Sequence, residues 1–194
     1  MKTIVSMVLM VLLLAFSVLD LAAEQPQTVT DSTGRVVSVP LKVNRVICSG
    51  PGALRLLTYL RAQDLIVAVD DIEVKRNRFD ARPYALANPD FKTYPIFGEF
   101  RGFDNPELIL ALSNQPQVIF KTYATMGHDP VELQQKTGIP TVILEYGNLD
   151  THLKELTNSL RIMGQVVGKG QRAEAVIKFF IETINDLKSR TDDI

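Results

Sequence analysis

Four short stretches of this chain carry residue types able to hold a small ligand, and each follows a run of apolar residues. The first is Ser49-Gly50-Pro51-Gly52, after Val46–Cys48. Glycines let a backbone approach a ligand closely, and a helix starting just beyond offers free N–H groups to negative charge. The same four residues also make an ordinary strand-to-helix turn, and both readings stand. The second runs from Asp70 and Asp71 through Glu73, Lys75, Arg76 and Arg78, with Arg82 and Tyr84 beyond. Its cations, Arg76 foremost, suit an anionic group; they equally suit a solvated surface with internal ion pairs. The third, Phe97-Gly98-Glu99-Phe100-Arg101-Gly102-Phe103, sets aromatic walls beside the Arg101 guanidinium, a combination for a flat or bulky molecule. Core packing of at least two of these phenylalanines is the competing expectation. The fourth begins Lys121-Thr122-Tyr123 and ends at His128, placing an amine, a hydroxyl and a phenol at a strand end.

Other chemistries lack their parts. There is no Gly-x-Ser-x-Gly elbow, and no Cys/His pair with an orienting acid. Gly50 and Gly52 supply two glycines of a dinucleotide fingerprint, but Arg55 stands where the third belongs, and no Gly-Lys-Ser/Thr follows to make a P-loop. With only His128 and His152, and no multi-ligand spacing, a resident metal is not expected. Cys48, the single cysteine, has no intramolecular partner and reads as a small buried hydrophobe. A formal charge of −1 gives no basic face for nucleic acid. No catalytic residue and no cofactor are therefore assigned.

The elements that must position these groups are read from periodicity. Val46–Cys48, Leu65–Val69, Val118–Phe120 and Val142–Leu144 are short, mostly β-branched runs, as buried parallel strands tend to be. Between the first two, Leu54, Leu57 and Leu60 recur at helical spacing. Asn105-Pro106-Glu107 starts a second helix with a polar cap and a proline that needs no amide partner. Asp129-Pro130-Val131-Glu132 starts a third, with Glu132 placed for a capping box. Strands alternating with helices predict an α/β fold, a Rossmann-like parallel sheet with helices on both faces. A helical pattern then runs from Asp150 to Val167. After Gly168-Lys169-Gly170 comes a long helix to about Arg190, striped by Ala173, Val176, Ile177, Phe180, Ile184 and Leu187. His152 reads as surface.

Met1-Lys2-Thr3, the apolar run Ile4–Leu19 and the small Ala22-Ala23 predict a cleavable secretory signal over 1–23. That run is short for a permanent span, which needs roughly 20 residues, and no cysteine near the cut marks a lipid anchor. The expected organisation is then an α/β lobe over 24–168 and a long helix over 169–194, in a monomeric exported protein.

Two ordered sets of motifs resemble a known family. Asp31, Gly34, Arg35, Val37, Val39 and Pro40 form a "D-x-x-G-R-x-V-x-V-P" hairpin, followed by Arg45, Val46, Ile47 and Pro51 of an "R-V-I-x-x-x-P" strand and turn. Leu160, Gly164, Gly168, Lys169, Arg172 and Ala173 match "L-x-x-x-G-x-x-x-G-K-x-x-R-A". Together, from Thr28 to the end, they resemble the periplasmic solute-binding proteins of cobalamin, haem and iron-siderophore importers (class III). The family often carries a Glu just after the glycine turn; Ala53-Leu54-Arg55 stand here instead. The resemblance implies a ligand clamped between two α/β lobes joined by one backbone helix, of which this chain holds the amino-terminal lobe and the helix, the second lobe being absent. It implies capture of an iron chelate (a siderophore), haem or a corrinoid, without catalysis. Delivery would be to a permease and ATPase of an ABC importer at the inner membrane. Ligand contacts would come from Ser49, Gly50, Pro51, Gly52, Asp71, Arg76, Arg101, Lys121, Thr122 and Tyr123, with Tyr123 able to approach a ferric centre. Glu107, in the "N-x-E" helix start, would dock on permease arginines, or else simply stabilise its helix dipole. Two other readings remain: a small secreted α/β enzyme using the glycine turn for a phosphate-bearing substrate, and a truncated receptor fragment with no transport function.

Overall fold

The computed structural model describes residues 25–75 and 81–191. The signal segment 1–23 and Arg76 lie outside the described residues. In chain order the strands are β1 (Gln27–Thr30), β2 (Val36–Val39), β3 (Val46–Ser49), β4 (Ile66–Asp70), β5 (Ile96–Glu99), β6 (Phe103–Asp104), β7 (Val118–Thr122) and β8 (Thr141–Leu144). The α-helices are α1 (Ala53–Tyr59), α2 (Asp71–Lys75), α3 (Pro83–Leu86), α4 (Pro106–Leu110), α5 (Pro130–Thr137), α6 (Leu153–Val166) and α7 (Gly170–Ser189).

The four apolar runs form four strands of one sheet, ordered β6-β5-β4-β3-β7-β8 and parallel except at the edge pair β5–β6. Side chains alternate across it. On one face Val46, Val118, Phe120, Val142 and Leu144 meet Leu54, Leu56 and Leu57 of α1, Leu160 and Met163 of α6, and the base of α7. On the other, Ile47, Ala68, Phe97 and Ile119 meet Ile109 of α4 and Leu133 of α5. Each such fully buried aliphatic side chain stabilises by about 1.5–3 kcal/mol. Helices therefore cover both faces, as the alternation of strands and helices requires.

The stretch expected as a third loop is instead partly sheet. Ile96–Glu99 pairs with β4, and the chain turns at Arg101-Gly102 to add β6 at the edge. One phenylalanine of this stretch joins the core rather than two: Phe97 is fully buried, while Phe103 is exposed. Gly98 permits the turn-back, because a Cβ there would lie 2.7 Å from the Phe103 carbonyl oxygen.

The hairpin motif is a clasp. The buried Asp31 carboxylate accepts from Thr33 N, Thr33 Oγ1, Arg35 N and Arg35 Nε. Arg35 Nη2 then donates to Thr141 O at 2.7 Å, fixing the hairpin to β8. Burial would raise the Asp31 pKa, but the donors from Thr33 and Arg35 hold it below the usual value. The second motif is a helix crossing: a Cβ on Gly164 would lie 2.9 Å from that of Ala173, so α6 and α7 meet backbone to methyl. Arg172 Nε donates to Tyr59 O at 2.9 Å.

Two local expectations differ. Glu132 does not close a capping box but pairs with Lys136 at 2.7 Å, while Asp129 alone caps α5 through Val131 N and Glu132 N. The α7 stripe is buried only at its base, through Ala173, Val176 and Ile177; Phe180 packs edge-on against Tyr59, and Leu187 is exposed.

Candidate functional site

The parallel strands β3, β4, β7 and β8 end at one edge of the sheet, the place where open α/β folds present ligand-holding loops. Ser49 ends β3, and the chain turns through Gly50 and Gly52, both at positive φ (83° and 77°). Thr122, ending β7, donates its hydroxyl to Pro51 O at 2.9 Å and fixes the turn. A Cβ on Gly52 would collide with the Tyr146 ring, so only glycine lets that ring lie over the turn.

Above the turn opens a cleft of about 300 Å³ whose lining includes Pro51, Gly52, Arg55 and Tyr146. Ile72, Arg82, Pro83, Tyr84 and Phe100 complete most of its other wall. A larger hollow of about 640 Å³ on the outer side of α1 shares Arg55, Pro83 and Tyr84, so these three form the partition between the two spaces.

The two arginines of the cleft are held differently. Arg82 Nη1 pairs with the buried Glu73 carboxylate at 2.6 Å, and the Tyr84 hydroxyl donates to the same oxygen at 2.8 Å. Burial first, then the Glu73 charge, pushes the Tyr84 phenol well above its ordinary pKa, so it stays a donor. Arg55 has no carboxylate partner among the described residues. Its guanidinium stacks over Tyr146 at 4.4 Å and, more loosely, Tyr59 at 5.7 Å. Its Nε–H is buried with no acceptor, a situation that costs about 1–3 kcal/mol. Asp70, at the tip of β4, is pushed up to about 8 by burial and then by the neighbouring Glu73 and Asp71. It is therefore mostly protonated at neutral pH.

Of the expected ligand contacts, Pro51 and Gly52 line this cleft, together with Arg82, Tyr84 and Phe100 of the second and third stretches. Tyr123, half-buried at φ 62°, sits beside it with its ring 6.4 Å from Tyr146. Its phenol pKa is raised by burial, then by Glu145 and Tyr146. Ser49, Gly50 and Thr122 lie beneath as buried supports.

Lys121 is a correction: it shares the inward face of Ile119 and is fully buried, its ammonium donating to Asp104 Oδ2 at 2.5 Å and Gly102 O at 2.8 Å. It closes the core and does not face the cleft. Asp71 is a second correction. It accepts from Phe100 N at 2.8 Å and pairs with Lys75 at 3.0 Å, lining a separate hollow with Glu99, Asn105 and His128. Burial would raise its pKa, but those donors hold it low. Arg101 is exposed at φ 68°, its guanidinium 5.9 Å from the Phe100 ring and outside the cleft lining. Glu107 is exposed in the first turn of α4, below the Asn105 cap on Leu108 N.

Sequence reasoning passed over Arg55 and Tyr146. Arg55 figures there as a flaw in a dinucleotide fingerprint and as part of the Ala53-Leu54-Arg55 that stands where the resembled family often has a Glu, and Tyr146 stands two residues beyond β8, at the one strand tip left unread. Among the described residues no three His, Cys, Asp or Glu are placed to hold a metal, and no helix is long and apolar enough to cross a membrane. Cys48 is buried, and burial followed by the Asp70 charge pushes its thiol pKa well up.

No protein-family model and no curated protein matches the chain. Solved structures do. The molybdate-bound periplasmic binding protein MolA of Haemophilus influenzae superimposes with TM-score 0.71 at 21% identity, over 87% of this chain and 54% of its own. The haem-binding protein HmuT aligns at TM-score 0.60 and 19% identity, over 90% of this chain and 51% of its own. The petrobactin-binding protein YclQ of Bacillus subtilis gives 0.65 and 16%, over 87% and 54%. The chain thus spans about half the length of the solved structures it matches. Its fold is that of about half of each of these structures, a parallel α/β sheet with helices on both faces followed by a long helix.

Proposed function

We propose that this chain is the solute-capturing amino-terminal lobe of the binding component of an ABC importer, taking an iron chelate, haem or a corrinoid. The observation that carries this reading is the strand-tip cleft, where two arginines and three aromatic rings surround a glycine turn on the sheet. Residues 1–23 act as the export signal to the periplasm, 24–168 as the lobe and 169–194 as the connecting helix. Capture needs no bond-making: Pro51 and Gly52 let a ligand approach the backbone, while Tyr146, Tyr84 and Phe100 supply apolar area. Tyr123 and Arg101 border that space, and Arg76 is proposed as a further contact for an anionic group. The similarity in fold to proteins that bind molybdate, haem and petrobactin supports capture as the task and leaves cargo to the cleft. Glu107, exposed on α4, is the proposed contact for the permease.

Isothermal titration of the purified protein with haem, ferric siderophores and cyanocobalamin tests the reading; saturable binding of one of them is expected, and heat of dilution alone from all would refute it. Glu107→Arg, placed in a cell whose uptake depends on this protein, is expected to abolish uptake while leaving the titration unchanged. Undiminished uptake would remove the docking role.

A further inference from the structure

We infer that the cleft selects its cargo by negative charge, and that Arg55 is the residue that reads it: the ligand presents a carboxylate to the Arg55 guanidinium. The inference rests on the capture reading above and narrows its cargo to anionic chelates or haem rather than corrinoids or neutral hydroxamates.

Charge accounting in the cleft points this way. Arg82 is neutralised by Glu73, whose carboxylate also takes the Tyr84 hydroxyl. Asp70, raised by burial, adds no full negative charge nearby at neutral pH. Arg55 is the cation of the described lining that no carboxylate answers. It is nonetheless held in place, since its guanidinium lies 4.4 Å from the centroid of Tyr146 and 5.7 Å from that of Tyr59. Tyr146 is in turn fixed over Gly52, where no side chain fits. A guanidinium stacked on an aromatic face keeps its in-plane N–H groups free, and these match the two oxygens of a carboxylate. The Arg55 Nε–H is buried without an acceptor, so the fork a ligand meets is the Nη1/Nη2 pair. A plain surface arginine would be hydrated and mobile; this one is oriented, half-buried and unsatisfied.

The test titrates four probes by isothermal calorimetry: haem and ferric citrate, which carry carboxylates, against ferrichrome and cyanocobalamin, which do not. The anionic pair is expected to bind roughly tenfold to a hundredfold tighter, the range of one charge-assisted hydrogen-bonded contact. That margin is expected to shrink as salt screens the charge. Arg55→Gln is expected to erase the margin, Arg55→Lys to keep part of it, and Lys178→Ala, a charge removed from the far surface of α7, to leave it intact. A melting curve of each variant checks folding, and the salt dependence of the parent protein reads the same charge without any substitution. Tighter or equal binding of ferrichrome or cyanocobalamin overturns the inference and leaves capture standing. So does an anionic affinity that Arg55→Gln and added salt both leave unmoved. Failure of all four probes to bind removes the capture reading, and the charge selection with it.

Discussion

Two charged groups stand at the same edge of the sheet and have opposite fates. Lys121, one residue before the end of β7, is fully buried and spends its three donors on Asp104, Gly102 O and, at 3.4 Å, Ser49 Oγ. Arg55, one helix turn past the neighbouring strand tip, is stacked between rings with a donor left over. A cation near a strand end is therefore not by itself a ligand contact. What separates the two is whether the fold has already supplied the counter-charge. A buried pair must be complete to be tolerated, so Lys121 serves architecture, and only a group left incomplete has anything to offer a solute.

The largest effect should come from breaking the closed pair. Lys121→Met leaves the Asp104 carboxylate buried alone and should cost about 3–5 kcal/mol, read as a lowered midpoint in chemical denaturation. Adding Asp104→Leu should restore most of it; a single variant as stable as the parent would mean that the pair is not closed. Asp70 is next. Folded, it holds its proton up to about pH 8, against 3.8 for the ordinary carboxyl. The native state thus binds the extra proton between those values, and its stability, full below pH 3.8, is lost as pH rises through 8. Asp70→Asn should flatten that decline and gain on the order of a few kcal/mol at pH 9; parallel pH profiles would count against the buried carboxyl. Gly52→Ala strains the positive φ and displaces Tyr146, which should cost about 1–3 kcal/mol and weaken binding in the cleft. Smallest is Thr122→Val, which removes the hydroxyl that holds Pro51 O and should cost about 0.5–1.5 kcal/mol. Lys121→Met with Asp104→Leu should spare ligand affinity where Gly52→Ala does not, and the reverse pattern would exchange the roles of the two regions.

The parallel strands were legible because Val, Ile and Phe cluster in runs bounded by turn residues, and the helix starts because Asn105 and Asp129 stand directly before prolines. β5 and β6 were not, since Gly98 and the short Phe103-Asp104 pair leave too few residues for a period to register. The glycine turn was found because its place at a strand end follows from the alternation of elements alone. Lys121 was misassigned because the third strand was read as ending at Phe120. Extended to Thr122, period-two alternation puts Lys121 on the face of Ile119, pointing inward. Asp71 was misread for a different reason: its partner, the Phe100 amide, is 29 residues distant, beyond any local pattern. Arg55 was hidden because an arginine in a helix looks the same in sequence whether or not a tyrosine from a remote loop lies against it.

The long helix α7 is buried only along its first two turns, through Ala173, Val176 and Ile177, with Phe180 resting edge-on against Tyr59 just beyond. From Phe180 to Ser189 it runs on for about 14 Å at 1.5 Å per residue. Such a rod lengthens small motions: a pivot of about 10° at the Gly164–Ala173 crossing would sweep Ser189, about 24 Å away, through about 4 Å. Arg172, tied to the carbonyl of Tyr59, links that pivot to the helix that carries Arg55. Any tilt of that helix which carried Arg172 with it would therefore move the far end of the rod more than its base.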